Sequence, residues 1–261
     1  MKDHSYFAMV IVIKGFAAMM CQSLTRVAFF VLFPGFLALG TLASAPARAG
    51  VVVFETVTGA TESGGLAVDA KVAFTTSMDT IKVVMTNLVI DPTSVAQNLS
   101  DLAFTLSTGQ STASLTSGLG MERTVNADHT FTNGLTVAAG WVLSTAVGGQ
   151  FHLDDLTGTG HAGPAHTILG DPKTATQYTN ANSSIAGNGP HNPFLHGDVT
   201  FLIHVVGVTA ASTINTATFS FGTTTGNNVA GHAVPEPSSL ALLGLGTIGF
   251  LVRRRRAAVA A

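Results

Sequence analysis

The residues best suited to chemistry are concentrated in one late stretch of the chain. Five histidines lie within or just before residues 157–197, and three aspartates are close to them in sequence. The histidines are His152, His161, His166, His191 and His196, and the aspartates are Asp154, Asp155 and Asp198. Neutral imidazoles and carboxylates are ligands of zinc and other transition ions, and the oxygens of aspartate and asparagine also suit calcium.

The spacing of these residues matches no established metal motif. The chain has no His-Glu-x-x-His pattern, no zinc-finger spacing and no Asp-x-Asp-x-Asp-Gly calcium loop. The five histidines are therefore weak metal candidates, and the alternative is a solvated polar loop in which they cap turns. His204 lies in a strand-like run, so we expect it on a sheet face. We predict no cofactor.

Residues for covalent catalysis are scarce. No Gly-x-Ser-x-Gly nucleophile elbow occurs, and the single cysteine, Cys21, precedes Gly50. A glycosidase that uses two distant carboxylates is compatible with the sequence. Sugar clefts usually present several aromatic rings, however, and the chain has one tryptophan, Trp141, and two tyrosines. We therefore predict that the protein is not an enzyme and that Trp141 packs in the core.

The distribution of charge excludes one class of partner. Only 10% of the 261 residues are charged, whereas a typical soluble domain is about 25% charged. Residues 50–233 contain twelve of the fourteen acidic residues and four of the twelve basic ones, which gives this part a formal charge of −8. A surface this acidic repels phosphate backbones, so we predict no binding to nucleic acid.

The elements that must position these residues are β-strands. Apolar and polar residues alternate in runs separated by Gly, Asn, Pro and Ser clusters, a pattern typical of an all-β domain. The predicted strands are 51–57, 66–76, 81–90, 102–107, 199–208 and 214–222, with shorter ones near Ser114, Phe131, Val137 and Phe151. We predict an antiparallel β-sandwich or jelly-roll-like domain over residues 50–233.

Two segments of this domain depart from the alternation. Residues 91–104 could form one short helix between strands. Residues 157–197 are rich in Gly, Asn, Pro and His and lack periodicity, apart from a possible strand at HTIL, residues 166–169. A loop this long in a compact domain is usually functional or disordered.

The N-terminal region, residues 1–49, has the organisation of a signal peptide. Arg26 precedes the apolar run VAFFVLFPGFLALGTLA, and the small residues SAPARAG follow. Ala47 and Ala49 occupy the −3 and −1 positions, which predicts cleavage before Gly50, with Ala45 as the less favourable site and an uncleaved anchor as the alternative. Because two apolar patches make this leader long, translation could begin at Met19 or Met20.

The C-terminal region, residues 234–261, differs from the rest of the chain because it joins an uncharged apolar run to a cluster of arginines. Ser238 to Val252 contains no charge and would span roughly 22 Å as a helix, short for a bilayer core of about 30 Å. Arg253, Arg254, Arg255 and Arg256 follow directly. Clustered arginines favour the cytoplasmic side, so we expect a short transmembrane helix at 238–252 with its C-terminus in the cytoplasm.

This terminus resembles the PEP-CTERM sorting signal. Pro235, Glu236 and Pro237 match the recognition triplet, the apolar run follows, and the four arginines match the basic stop. The resemblance implies an exported protein of a Gram-negative bacterium that makes exopolysaccharide, cut near the triplet by an exosortase. NANSSIAGNGPHNPFLHGDVTF and TFSFGTTTGNNVAGH also resemble uncharacterised exported proteins of this kind. An ordinary single-pass anchor is the alternative.

Together these features predict a surface or extracellular matrix protein associated with exopolysaccharide or biofilm. Its expected partners are the Sec machinery, signal peptidase and exosortase, with exopolysaccharide as a further one and the inner membrane as a transient location. The alternative function is a carbohydrate- or metal-binding module that uses the His/Asn-rich loop at 157–197. A polysaccharide hydrolase is a more distant alternative.

Overall fold

Twelve β-strands form nearly all the regular structure. A computed structural model of the chain describes residues 50–146 and 148–235. Within these residues there is no α-helix, and one 3₁₀ turn occupies Val95–Gln97. The strands are β1 (Val51–Thr56), β2 (Ala70–Ser77), β3 (Thr80–Asn87), β4 (Leu99–Leu106), β5 (Ser114–Val125), β6 (Phe131–Ala138), β7 (Val142–Ala146), β8 (Gln150–Asp154), β9 (Ile168–Leu169), β10 (Phe194–His204), β11 (Ile214–Phe221) and β12 (Asn228–Val234).

The alternation in the sequence places apolar side chains on the inner face of each strand. In β2 every second residue from Ala70 to Phe74 is buried, and in β3 the same holds from Ile81 to Met85. Successive side chains of a strand point to opposite faces, so this pattern buries one face and leaves the other to solvent. The prediction of an all-β protein is confirmed.

All twelve strands belong to one sheet. Hydrogen-bonded neighbours follow the order β6-β5-β10-β3-β2-β1-β12-β11-β4-β8-β7. β9 lies between β10, to which it is parallel, and β4, to which it is antiparallel. It therefore closes eight of the strands into a ring. The sequence predicts two separate sheets instead. It indicates a strand at 166–169, but the pattern of a single short strand does not reveal that it pairs with both β10 and β4.

The main core gathers the buried side chains of these strands and is rich in aromatic residues. The rings of Phe74, Phe104 and Phe151 form a chain with centroids 5.1 and 5.4 Å apart. Trp141 is 4% exposed and packs against Phe201 at 5.4 Å, which confirms its predicted place in the core. Its Nε1 donates a hydrogen bond to the carbonyl of His166, so the polar end of the indole is satisfied.

The segment before β10 is more ordered than its composition suggests. A second, smaller apolar cluster gathers around Tyr178, Ile185 and Phe194, each fully buried. It joins the irregular stretch at 155–193 to β5 through Val125 and to the 3₁₀ turn through Val95. The predicted HTIL strand is present as β9. The Gly- and Asn-rich stretch thus forms a packed layer with a core of its own.

Other predictions differ in detail or lie elsewhere. The helix expected within 91–104 is reduced to three residues, because Leu99 to Leu106 form β4. Within 50–146 and 148–235 no helix has the length and apolar character needed to cross a bilayer. The predicted signal segment and the predicted transmembrane helix at 238–252 lie outside the described residues.

Candidate functional site

The predicted sorting segment continues directly from the last strand. β12 pairs with both β1 and β11, and it ends at Val234. Pro235, the first residue of the triplet, is exposed and is the last residue that the structure describes. Glu236, Pro237, the arginines at 253–256 and the signal residues Ala47 and Ala49 lie outside the described residues.

The candidate histidines are held in separate environments. The Nδ1 of His166 lies 3.0 Å from the carbonyl oxygen of Ala139, and its Nε2 lies 3.1 Å from Glu122 Oε1. His191 contacts the carbonyl oxygen of Ser184 through Nδ1 at 2.8 Å. These contacts hold turns and strand ends in place. This is the structural role expected of histidines that cap turns in a polar loop.

Two further candidates each carry a buried nitrogen without a partner, the Nδ1 of His161 and the Nε2 of His196. Burial lowers the pKa of His196 to about 4, so this imidazole is neutral at physiological pH. Across residues 50–146 and 148–235, no three His, Cys, Asp or Glu side chains are grouped so that they could hold a metal ion. The loop at 157–197 therefore does not bring its histidines together.

Arg123 of β5 anchors this loop to the sheet. Its guanidinium donates to Asn133 Oδ1 and to the Tyr178 hydroxyl, each at 2.9 Å, and lies 4.2 Å from the centre of the Phe131 ring. Tyr178 in turn donates to the carbonyl of Gly170 at 2.8 Å, and burial raises its pKa to about 12. The guanidinium is thus a structural link between two layers.

A polar row crosses four neighbouring strands at the far end of the sheet. The cross-strand pairs are Asn228 with Ser220, Ser220 with Asp101, and Asp101 with Asp154. Directly paired residues lie on the same face of a sheet, so these four side chains stand side by side. They lie on the outer face, opposite the buried Leu102, Leu153 and Phe219.

This row forms the floor of a small pocket, which we call the polar pocket. Its volume is about 230 Å³. The turn between β11 and β12 closes one side, and Gly222 and Gly226 allow that turn through their φ values of +89° and +103°. The lining residues are Ser100, Asp101, His152, Asp154, Leu156, Ser220, Thr224, Thr225, Gly226 and Asn228.

The carboxylate oxygens of the polar pocket differ in how many hydrogen bonds they accept. Asp101 Oδ2 lies 3.4 Å from His152 Nδ1 and accepts from the Ser220 hydroxyl at 3.2 Å, whereas Asp101 Oδ1 is buried and has no partner. The hydrogen bond to Asp101 raises the pKa of His152. Asp154 accepts from the backbone of Leu156 at 2.7 Å and from the backbone and hydroxyl of Thr157.

This geometry does not form a nucleophilic triad. A serine nucleophile needs a histidine that contacts its hydroxyl and removes the proton. Here Asp101 lies between Ser220 and His152, and the Ser220 hydroxyl is also 2.5 Å from Asn228 Oδ1. The arrangement can instead accept and donate hydrogen bonds to a ligand.

Among the predicted site residues, only His152 and Asp154 belong to the polar pocket. Asp101, Ser220 and Asn228 were not predicted, since each comes from a different strand. The available signal was a polar residue on the solvent face near one end of each of β4, β8 and β11. Alternation assigns such a residue to a face of its own strand, but it does not show which residue of another strand lies beside it.

The comparisons with known proteins agree with the position of the sorting segment. Residues 233–256 match the family model described as the PEP-CTERM protein-sorting motif. No curated protein and no solved structure matches the chain. The matched residues begin at the end of β12 and include the triplet, the apolar run and the four arginines. The chain therefore carries a PEP-CTERM protein-sorting motif at residues 233–256, and this motif indicates export to the cell surface and sorting by an exosortase.

Proposed function

We propose that this protein is a non-enzymatic component of the cell surface or extracellular matrix and that it associates with exopolysaccharide. The observation that supports this most directly is the contiguity of the last strand with the sorting motif: β12 ends at Val234 and the motif covers 233–256. All strands of the sheet thus precede the segment that we propose is removed. The acidic charge of residues 50–233 favours solubility outside the cell.

The proposed route has three steps. Residues 1–49 direct the chain to the Sec machinery, and signal peptidase cleaves after Ala49. Residues 238–252 then hold the protein transiently in the inner membrane, with the arginines at 253–256 in the cytoplasm. Finally an exosortase cuts near Pro235 and releases the domain to the surface. The exposure of Pro235 beside the end of β12 supports the last step.

The intact mass of the protein recovered from the extracellular fraction tests this route. We expect a mass that begins near Gly50 and ends near Pro235. A species that retains the four arginines and occurs only in membranes would contradict exosortase processing and would make the protein an anchored ectodomain.

The association with exopolysaccharide needs a separate measurement. The protein should co-sediment with the extracellular polysaccharide and be released when that polymer is degraded enzymatically. Equal recovery in the soluble fraction before and after degradation would contradict the association while leaving export intact. The metal-binding alternative at 157–197 gains no support from the described residues, because no three of their His, Cys, Asp or Glu side chains are grouped so that they could hold an ion.

A further inference from the structure

We propose that one end of the sheet docks onto the surface of the lipid bilayer while the protein is still anchored there, with Met78 and Val206 entering the interfacial layer. We call this end the terminal face, and it consists of the turns at 77–80, 107–113 and 205–213 together with Val51 and Val234. The proposal rests on the proposed function for the membrane anchor at 238–252, and it adds a contact that an anchor alone does not imply.

Strand pairing places both ends of the domain on the terminal face. β1 begins at Val51 and β12 ends at Val234, and antiparallel pairing brings these two points together, since Val53 lies opposite Val234. β2 ends and β3 begins on this side, and so do the end of β10 and the start of β5. The chain therefore continues into the sorting motif from the terminal face, while the polar pocket lies at the opposite ends of β4, β11 and β12.

The first argument is the exposure of apolar side chains on the terminal face. Met78 is 82% exposed and Val206 is 72% exposed, and Val51 and Val234 are also among the exposed large hydrophobic residues. Single exposed apolar residues are ordinary on a protein surface, but a group of them at one place marks a contact site with another protein or with a membrane.

Hydrogen bonds hold the two most exposed side chains in neighbouring turns. The backbone N–H of Val205 donates to the carbonyl of Asp79 at 3.0 Å, and the backbone N–H of Gly207 donates to Asp79 Oδ1 at 2.7 Å. Met78 directly precedes this aspartate, and Val206 lies between the two donors. The turn that joins β2 to β3 and the turn that follows β10 thus form one apolar tip.

The second argument is the scarcity of charge on the terminal face. Asp79 is the one charged residue in the turns at 77–80, 107–113 and 205–213, and its carboxylate accepts the bond from Gly207. The other eleven of the twelve acidic residues in 50–233 lie elsewhere in the domain. An anionic lipid surface therefore repels the rest of the domain more than it repels this end.

The third argument is the short length of chain between the sheet and the anchor. Four residue steps separate Val234 from Ser238, and they cover at most about 14 Å. The polar headgroup layer of a bilayer is about 5–7 Å thick on each side. A membrane span that starts at Ser238 therefore holds the terminal face at the bilayer surface, at a high effective concentration. Two turn tips bury little apolar area, so docking ends once the anchor is cut.

Site-specific fluorescence on the full chain tests this docking. Cys21→Ser removes the native thiol, and Met78→Cys, Val206→Cys or Val57→Cys then carries an environment-sensitive dye. The chain is reconstituted into vesicles of phosphatidylethanolamine with a minor fraction of phosphatidylglycerol. Val57 is exposed and follows the far end of β1, so its label is the matched control. Iodide should quench the labels at 78 and 206 at least about threefold less than the label at 57, and nitroxide lipids should quench only those two.

A charge placed at the tip should abolish the docking. Met78→Glu, measured with the label at Val206, should raise iodide quenching to the level found at Val57, because a carboxylate resists transfer from water. Ile90→Glu adds the same charge at an exposed position beyond the far end of β3 and should change the quenching by less than about 1.5-fold. Both replaced side chains are exposed, so the thermal unfolding midpoints should match that of the parent chain.

The outcomes separate this proposal from the proposed function. Equal iodide quenching of all three labels, in chains that float with the vesicles, would overturn the docking and leave the membrane anchor standing. Labels protected from iodide but not reached by nitroxide lipids would show contact between copies of the chain and would overturn the bilayer as the partner. A full chain absent from the vesicle fraction would overturn the anchor and the docking together.

Discussion

At the scale of single residues, two adjacent aspartates have opposite environments. Asp154 lines the polar pocket and accepts three hydrogen bonds from its own turn. Asp155 is fully buried, neither of its carboxyl oxygens has a partner, and burial raises its pKa to about 9. The sequence alone does not distinguish the two aspartates as candidate oxygen ligands. Their different burial follows from the alternation at the end of β8, which turns neighbouring side chains in opposite directions.

Asp155 should make the stability of the protein depend on pH. The folded state keeps this proton up to about pH 9, whereas the unfolded carboxyl loses it near 3.8, so the folded chain binds more protons between these values. The free energy of unfolding should therefore fall as pH rises through this interval, by at most about 1.4 kcal/mol per unit. Asp155→Asn should remove that slope, as measured by urea denaturation at about pH 5 and about pH 8.

The neighbouring substitution Asp154→Asn provides the control for this experiment. Burial is the largest cause of the raised pKa of Asp155 and the charge of Asp154 is the second, so this substitution should reduce the slope without abolishing it. If the wild-type stability proves equal at both pH values, or if Asp155→Asn retains the slope, then a partner satisfies the Asp155 carboxylate and the assignment of a buried neutral acid is wrong.

At the scale of elements, alternation predicted the strands that have one buried and one exposed face. β2, β3 and β11 match predicted strands to within a few residues, whereas β4 and β10 begin earlier than predicted, at Leu99 and Phe194. β12 was missed because only Val229 and Gly231 of NVAGHAV are partly buried, and its small residues give no apolar alternation. The second core was missed for a different reason: Tyr178, Ile185 and Phe194 are widely spaced, and only their shared contact with β5 brings them together.

The hydrogen bonds and ring contact of Arg123 should contribute more to the free energy of unfolding than its ion pair with Asp171 does. Arg123→Lys keeps the charge but cannot bond Asn133 and Tyr178 together or stack on Phe131, so we expect a loss of about 2 kcal/mol in unfolding free energy. Limited proteolysis should then cut residues 171–193 faster than in the wild type. Thermal denaturation and mass mapping of the fragments would measure both effects.

Asp171→Asn separates the two contributions of Arg123. Asp171 lies 3.5 Å from the guanidinium, but its side chain is 59% exposed, so losing this pair should cost less than about 0.5 kcal/mol. A loss as large as that of Arg123→Lys would show that the ion pair, and not the bonds to Asn133 and Tyr178, holds the loop.

At the scale of the whole molecule, the β-sheet domain and the sorting motif occupy nearly separate parts of the chain. The strands run from Val51 to Val234, while the sorting motif occupies 233–256. The family model confirms the motif that the sequence indicated, because a sorting signal is contiguous and can be recognised from the order of its residues alone. The polar pocket was not predictable in the same way, since its residues come from strands far apart in the chain.

Deletion of residues 236–261 should therefore change location and leave the domain folded. β12 remains complete in this variant, so its thermal unfolding midpoint should match that of the mature protein. Without the motif, the protein should no longer be retained at the membrane before release, and fractionation with immunoblotting would show this. An unchanged distribution between membrane and medium would contradict the role of the motif in sorting.

The place of β12 in the sheet sets the order of events during export. The chain emerges N-terminus first, so β1 arrives early, yet its neighbour on one side is the last strand, paired from Val53–Val234 to Thr56–Gly231. Until β12 arrives, β1 and β11 each keep an open edge that another chain could join. Under the proposed route, a tether at 238–252 would hold this nascent sheet apart from its copies until the final strand has paired, and its cleavage afterwards would release molecules that have had time to fold.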